Sequence, residues 1–81
     1  MSYYVYILLC RDGTYYTGST NNVEKRFNDH LTGHGAKYTK GHKPEKIIYK
    51  EEFLTKSDAL KREAEIKKLT KVDKKVLVDN Q

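Results

Sequence analysis

Hydrophobic and polar positions along this chain separate strands from helices by their period. Tyr3 to Cys10 reads YYVYILLC, a continuous run of strand formers that predicts a strand covered on most of both faces. Asp12-Gly13 signals a turn, and Thr14-Tyr15-Tyr16-Thr17 predicts a second strand that closes a hairpin. Asn21-Asn22 can cap a helix from Val23 to Leu31, with Val23, Phe27 and Leu31 on one face and Thr32-Gly33-His34-Gly35 as its stop. A basic polar stretch follows, with one short turn expected around Ala36 to Lys40 before Gly41-His42-Lys43-Pro44. KIIYKEEF, Lys46 to Phe53, predicts a third strand. Thr55 or Ser57 can cap a helix running to about Leu69, and Thr70 a last short helix over Val72 to Val78, packed by Val72, Val76 and Leu77. The order β-β-α-β-α-α, without repeat or linker, predicts one α+β domain over residues 1–81, a small three-stranded antiparallel sheet with flanking helices.

Hairpin register decides which side chains can meet. A two-residue Asp12-Gly13 loop pairs Arg11 with Thr14 and sends Tyr6 and Tyr16 to opposite faces. A three-residue loop, Arg11-Asp12-Gly13 with a left-handed Gly13, pairs Cys10 with Thr14 instead. Tyr4, Tyr6, Leu8, Tyr16 and Gly18 then share a face, and Gly18 opposite Tyr6 leaves a notch over the ring. Turn chemistry favours the second register.

On the helix after Ser57, the stripe set by Ala59, Leu60 and Ile66 contains a carboxylate, Glu63, with Lys67 one turn on. A charge there is costly unless a cation, a metal or hydrogen bonds satisfy it. The bland reading is an i,i+4 pair with Lys67. On the first helix Arg26 and His30, also four apart, flank the apolar stripe.

Composition narrows the class. With 37% hydrophobic and 33% charged residues the chain is globular, and its single cysteine excludes an internal disulfide or a cysteine zinc cluster, so Cys10 is expected to pack. No membrane span and no signal-peptide pattern is visible, so a cytoplasmic location is expected. Net charge is +5, unevenly spread. Residues 1–33 balance to zero, while residues 34–50 set five lysines against Glu45, and residues 61–75 set seven Lys/Arg against three acids. Such basicity favours a polyanionic partner.

These residues together closely resemble the GIY-YIG nuclease superfamily, in particular its small stand-alone bacterial members. Tyr4-Val5-Tyr6 and Tyr16-Thr17-Gly18 stand as its two tyrosine motifs, followed by Arg26 with His30, the GAKYTKGHKP stretch at Gly35–Pro44 and the REAEIKKL run at Arg62–Leu69. The resemblance covers nearly the whole chain and agrees with the three-residue hairpin loop. It departs where Tyr4 replaces a glycine, Thr17 replaces an isoleucine, and Ser19 stands where some members place a lysine.

The resemblance implies a metal-dependent endonuclease or nicking enzyme that hydrolyses DNA phosphodiesters in repair or recombination. Carried over, Glu63 would bind one Mg²⁺ or Mn²⁺ and Arg26 would clamp the scissile phosphate. Tyr6 and Tyr16 would line the site, one assisting the nucleophile, and His30 would be an auxiliary proton-handling group. Lys37, Tyr38, Lys40, Lys43 and Lys67 would contact nucleic acid, with DNA recognised by structure rather than by sequence. His34 and His42 are expected to be solvated loop residues. Two other classes stay open: a nucleic-acid-binding module without turnover, and an interaction component of a repair complex. The discriminator is whether Glu63 lies open beside the tyrosines and Arg26 or is locked onto Lys67.

Overall fold

The computed structural model describes residues 2–81. Strands β1 (Tyr3–Cys10), β2 (Tyr15–Thr20) and β3 (Pro44–Phe53) form an antiparallel sheet in the order β2-β1-β3. Helices α1 (Val23–Leu31) and α2 (Lys37–Gly41) lie between β2 and β3 in the chain, and α3 (Lys56–Lys67) and α4 (Lys71–Asp79) follow. The chain is therefore the α+β fold expected. Central β1 is sandwiched, with Val5, Tyr6, Ile7 and Leu8 all buried.

The hairpin adopts the three-residue loop. Cys10 N–H donates to Thr14 O at 2.8 Å and Gly13 N–H to Cys10 O at 2.9 Å, with Gly13 at φ +84°. That left-handed residue lets the loop close in register with the strands' twist. Asp12 Oδ1 reinforces it by accepting from Thr14 N–H at 3.1 Å and Thr14 Oγ1 at 2.6 Å. Tyr6 then pairs with Gly18, and Leu8 with Tyr16.

Two apolar layers follow from the alternation. Tyr6 and Leu8 pack with Val23, Tyr4, Tyr16, Phe27 and Ile47 under α1. Val5 and Ile7 pack with Tyr49, Ala59 and Ile66 under α3. A register shift in β3, from Ile7↔Tyr49 to Leu8↔Ile47, skips Ile48. Ile48 and Tyr49 therefore both serve the α3 layer while Ile47 serves the other. Cys10 is buried as expected.

Helix starts follow the capping residues. Asn22, Thr55 and Thr70 each accept from the backbone N–H three residues on, at 3.1 Å in all three cases. Thr55 rather than Ser57 opens α3. Three details depart from the periodicity. Leu31 is half exposed while His30 is buried, because α1 turns its last face so that His30 meets the sheet. Leu60 and Ala64 are also exposed, since α3 buries the narrower face of Ala59 and Ile66. On α4, Leu77 and Val78 reach the core and Val72 and Val76 do not, so the amphipathic face is rotated from the one expected.

Candidate active site and nucleic-acid interface

Sequence places Tyr6 and Tyr16 on adjacent strands, and the register sends both under α1, which contributes Arg26 and His30. Ring centroids lie 6.4 Å apart for Tyr6–Tyr16, 6.0 Å for Tyr6–His30 and 5.0 Å for Tyr16–His30. Two glycines make this approach possible. A Cβ on Gly18 would lie 2.5 Å from the Tyr6 hydroxyl, and one on Gly35 would lie 2.2 Å from His30 Nδ1. The notch over Tyr6 was legible in the sequence; the equivalent over His30 was not.

His30 is only 1% exposed and is fixed at both nitrogens. The Tyr6 hydroxyl lies 2.9 Å from Nε2, Thr39 Oγ1 lies 2.8 Å from Nδ1, and Thr39 Oγ1 also donates to Ala36 O at 2.8 Å. The Thr39 hydroxyl has one proton. Assigned from the network, one tautomer makes all three contacts hydrogen bonds at once: Tyr6 O–H donates to Nε2, Nδ1–H donates to Thr39, and Thr39 donates to Ala36 O. Ala36 N–H, at 3.4 Å from Nδ1, is the weaker competitor. Thr39 was not among the residues expected in the site. Its only sequence signal was its position in the GAKYTKGHKP stretch.

Burial, with the nearby Tyr16, pushes the Tyr6 hydroxyl up to about 12; the Arg26 guanidinium partly offsets this, and Glu63 adds to it. Tyr6 is thus protonated at neutral pH, its proton turned to His30 and its lone pairs left for the site. Burial, then the Arg26 charge, lowers the His30 pKa, so the imidazole is a neutral acceptor. The Tyr16 hydroxyl has no hydrogen-bond partner among the described residues. Arg26 is partly exposed, its guanidinium set against the Tyr6 hydroxyl and paired with Asp29 at 3.8 Å. It opens on a polar cleft of about 290 Å³ lined also by Thr20, Asn21, Asn22 and Lys25.

Glu63 sits differently. It rises from α3, in the layer on the far side of the sheet, and reaches the β2 edge. Its side chain is 15% exposed; Oε1 accepts from Ser19 Oγ at 2.6 Å, and Oε2 pairs with Lys67 Nζ at 2.8 Å. One carboxylate oxygen is therefore taken by Ser19 and the other by Lys67, a residue expected on nucleic acid. Glu63 still stands within electrostatic reach of Tyr6, across the side-chain-free Gly18 position. Among the described residues no group of three or more His, Cys, Asp or Glu could hold a metal. A lone carboxylate of this kind would suit only a cation that keeps most of its water.

Tyr38 lies over the sheet, stacked with Tyr16 at 5.8 Å and with His42 at 4.2 Å. His42 is hence not a free loop residue: its Nδ1 bonds the Asp12 carboxylate in the hairpin loop. Hydrogen bonds from Thr14, and then from the His42 ring, hold that carboxyl down at about 2. Lys37, Lys40 and Lys43 are exposed, and no carboxylate pairs with them among the described residues. Lys40 and Lys43 line a second hollow of about 190 Å³, shared with His30, Leu31, Thr32, Gly33 and Thr39.

Residues 2–76 match the profile of the GIY-YIG catalytic domain. The chain belongs to the GIY-YIG family. Within it, UPF0213 proteins are similar over nearly the full length. That of Oceanobacillus iheyensis is 48% identical over 98% of this chain and 92% of its own, and that of Clostridium perfringens 52% identical over 95% and 83%. The solution structure of the UPF0213 protein from Bacillus halodurans superposes with a TM-score of 0.65 at 42% identity, covering 100% of this chain and 86% of that one. A second solution structure, from E. faecalis, gives 0.67 at 41% identity, covering 99% and 85%. The GIY-YIG motif tyrosines of this chain are the pair gathered with His30. No described helix is long and apolar enough to cross a membrane.

Proposed function

We propose that this GIY-YIG domain is a nucleic-acid-binding module, holding the phosphodiester backbone of DNA by Arg26 and Tyr16 and by the lysines around α2. The observation that carries the reading is the uncompensated charge: around α2, whose Tyr38 stacks on Tyr16, Lys37, Lys40 and Lys43 stand exposed and meet no carboxylate among the described residues. Phosphate oxygens would complete them, releasing counterions as they bind. Backbone contacts carry no base information, so DNA structure, rather than sequence, would select the target, as in repair or recombination assemblies.

The second reading, a metal-dependent endonuclease or nicking enzyme, is favoured by the Tyr6–His30–Thr39 chain, which orients one buried hydroxyl more closely than passive binding needs. Here Arg26 would steady the phosphate, Tyr6 would offer lone pairs to the attacking water, and His30 would hold the Tyr6 proton in place. Glu63, released from Lys67, would hold Mg²⁺ or Mn²⁺. Such a cation, when bound, supplies Lewis-acid stabilisation of charge developing on the phosphate.

The test is a panel of branched, nicked, single-stranded and linear duplex DNAs, with Mg²⁺ or Mn²⁺, comparing wild type with Glu63→Gln. Salt-sensitive binding without scission by either protein is expected of a binding module. Scission by wild type, lost in Glu63→Gln and in EDTA while binding survives, would replace that reading with the nuclease. Absence of binding to every DNA would refute both.

A further inference from the structure

Three aromatic rings run outward from the site in one stack: Tyr16, then Tyr38, then His42. The inner contact is 5.8 Å with planes 26° apart, and the outer is 4.2 Å with planes 14° apart. Tyr38 lies in α2 and His42 caps its C-terminus four residues on, the His42 N–H donating to Tyr38 O, so one backbone turn sets their spacing. Each end is tied down. Tyr16 is a strand residue packed edge-on to His30, and His42 is bonded to Asp12 in the hairpin loop. The outer rings nevertheless reach solvent, with Tyr38 37% exposed and the His42 side chain 39% exposed. Lys37, Lys40 and Lys43, on the same short segment, are exposed and pair with no carboxylate among the described residues, and Lys40 and Lys43 line the hollow on its side toward α1.

A stacked, rigid ladder whose last ring faces solvent, on a segment of exposed lysines, has the chemistry that recognises an unpaired nucleobase. We infer that the outer face of the His42 ring, backed by Tyr38, is a stacking site for a base of a single strand, whose adjoining phosphates engage Lys40 and Lys43. The inference rests on the nucleic-acid-binding reading and sharpens it. A paired base keeps both faces against its neighbours, whereas an unstacked base gains a new platform. Because Tyr16 is both the inner rung and a site residue, a base on the ladder sets its strand alongside Arg26. The bland alternative is that the rings only seal α2 onto the sheet. Sealing accounts for Tyr16 against Tyr38, but not for an outer imidazole pinned by a carboxylate over a ring that stays open to water.

The experiment titrates wild type, Tyr38→Leu, Tyr38→Phe, His42→Ala and Lys40→Ala/Lys43→Ala with a short oligothymidylate, the matching oligouridylate and a linear duplex. Anisotropy reports affinity, and 2-aminopurine placed in a single strand reports stacking by quenching. Heteronuclear spectra confirm that each variant is folded. Expected is a loss of about 5- to 150-fold in single-strand affinity for His42→Ala and for Tyr38→Leu, with quenching lost and duplex affinity little changed. Tyr38→Phe retains both affinity and quenching. The lysine pair weakens single strand and duplex alike and flattens the single-strand salt slope by about 1.4. The DNA and RNA strands together tell whether the ribose hydroxyl matters to the stack. Equal loss on single strand and duplex, or no loss and no quenching while wild type still binds DNA, would overturn the stacking site and leave the binding reading standing. Failure of wild type to bind any strand would overturn both.

Discussion

Replacing Thr39 by valine keeps the shape of a buried side chain and deletes one hydroxyl, so it isolates the hydrogen-bond chain behind Tyr6. Two bonds vanish, His30 Nδ1–H to Thr39 and Thr39 to Ala36 O, each 2.8 Å long. At about 1 kcal/mol net for each bond, the cost is about 2 kcal/mol. For a domain this size that is a fall in Tm of roughly 8–16 °C. Ala36 N–H, already 3.4 Å from Nδ1, becomes the best remaining partner and accommodates the opposite tautomer. Nε2–H then donates to the Tyr6 oxygen, which favours the phenolate and moves the Tyr6 pKa down from about 12. Long-range ¹H–¹⁵N spectra read the tautomer directly, tyrosinate absorbance reads Tyr6, and urea melts read stability. Wild type should show protonated Nδ1, and Thr39→Val protonated Nε2. An unchanged tautomer with unchanged Tyr6 titration would refute the assignment of the chain, whatever happens to the Tm.

The Thr17 hydroxyl is buried opposite Ile7 with no partner among the described residues, so Thr17→Val should raise stability by about 1 kcal/mol in urea denaturation; destabilisation would mean the hydroxyl has a partner after all. Gly18→Ala puts a methyl 2.5 Å from the Tyr6 hydroxyl and should lower stability by about 1–3 kcal/mol and shift the Tyr6 ring resonances. His30 has a folded pKa below its usual 6.5, so the unfolded chain takes up that proton first. Its contribution is present above pH 6.5 and is lost as pH falls through the depressed folded value; a His30 titration midpoint at or above 6.5 by NMR would contradict this. Lys67→Met removes the ammonium 2.8 Å from Glu63 and should tighten Mn²⁺ binding several-fold by calorimetry. Unchanged affinity would show that Glu63 is not where the ion binds.

By itself the sequence determined the elements, their order and one face of the site. A central apolar run, a left-handed glycine in the hairpin loop and three side-chain caps are local devices that act on their own few residues, so strands and helix starts were legible from spacing. The Tyr6–Gly18 notch was legible too, because β alternation and one loop length fix it. Tertiary structure alone decided the rest. Leu31 and His30 lie a residue apart on α1, and only the docking angle of the helix chose the imidazole for burial. Thr39 and Gly35 joined the site because α2 folds back on α1, a contact that no periodicity encodes. Glu63 is largely buried although Leu60 of the expected stripe is exposed, and its partners, Ser19 on the β2 edge and Lys67, are not both readable from the helix period. Local rules reach only as far as neighbouring turns of chain. The geometry of a site assembled from both faces of a sheet is set by how the layers pack.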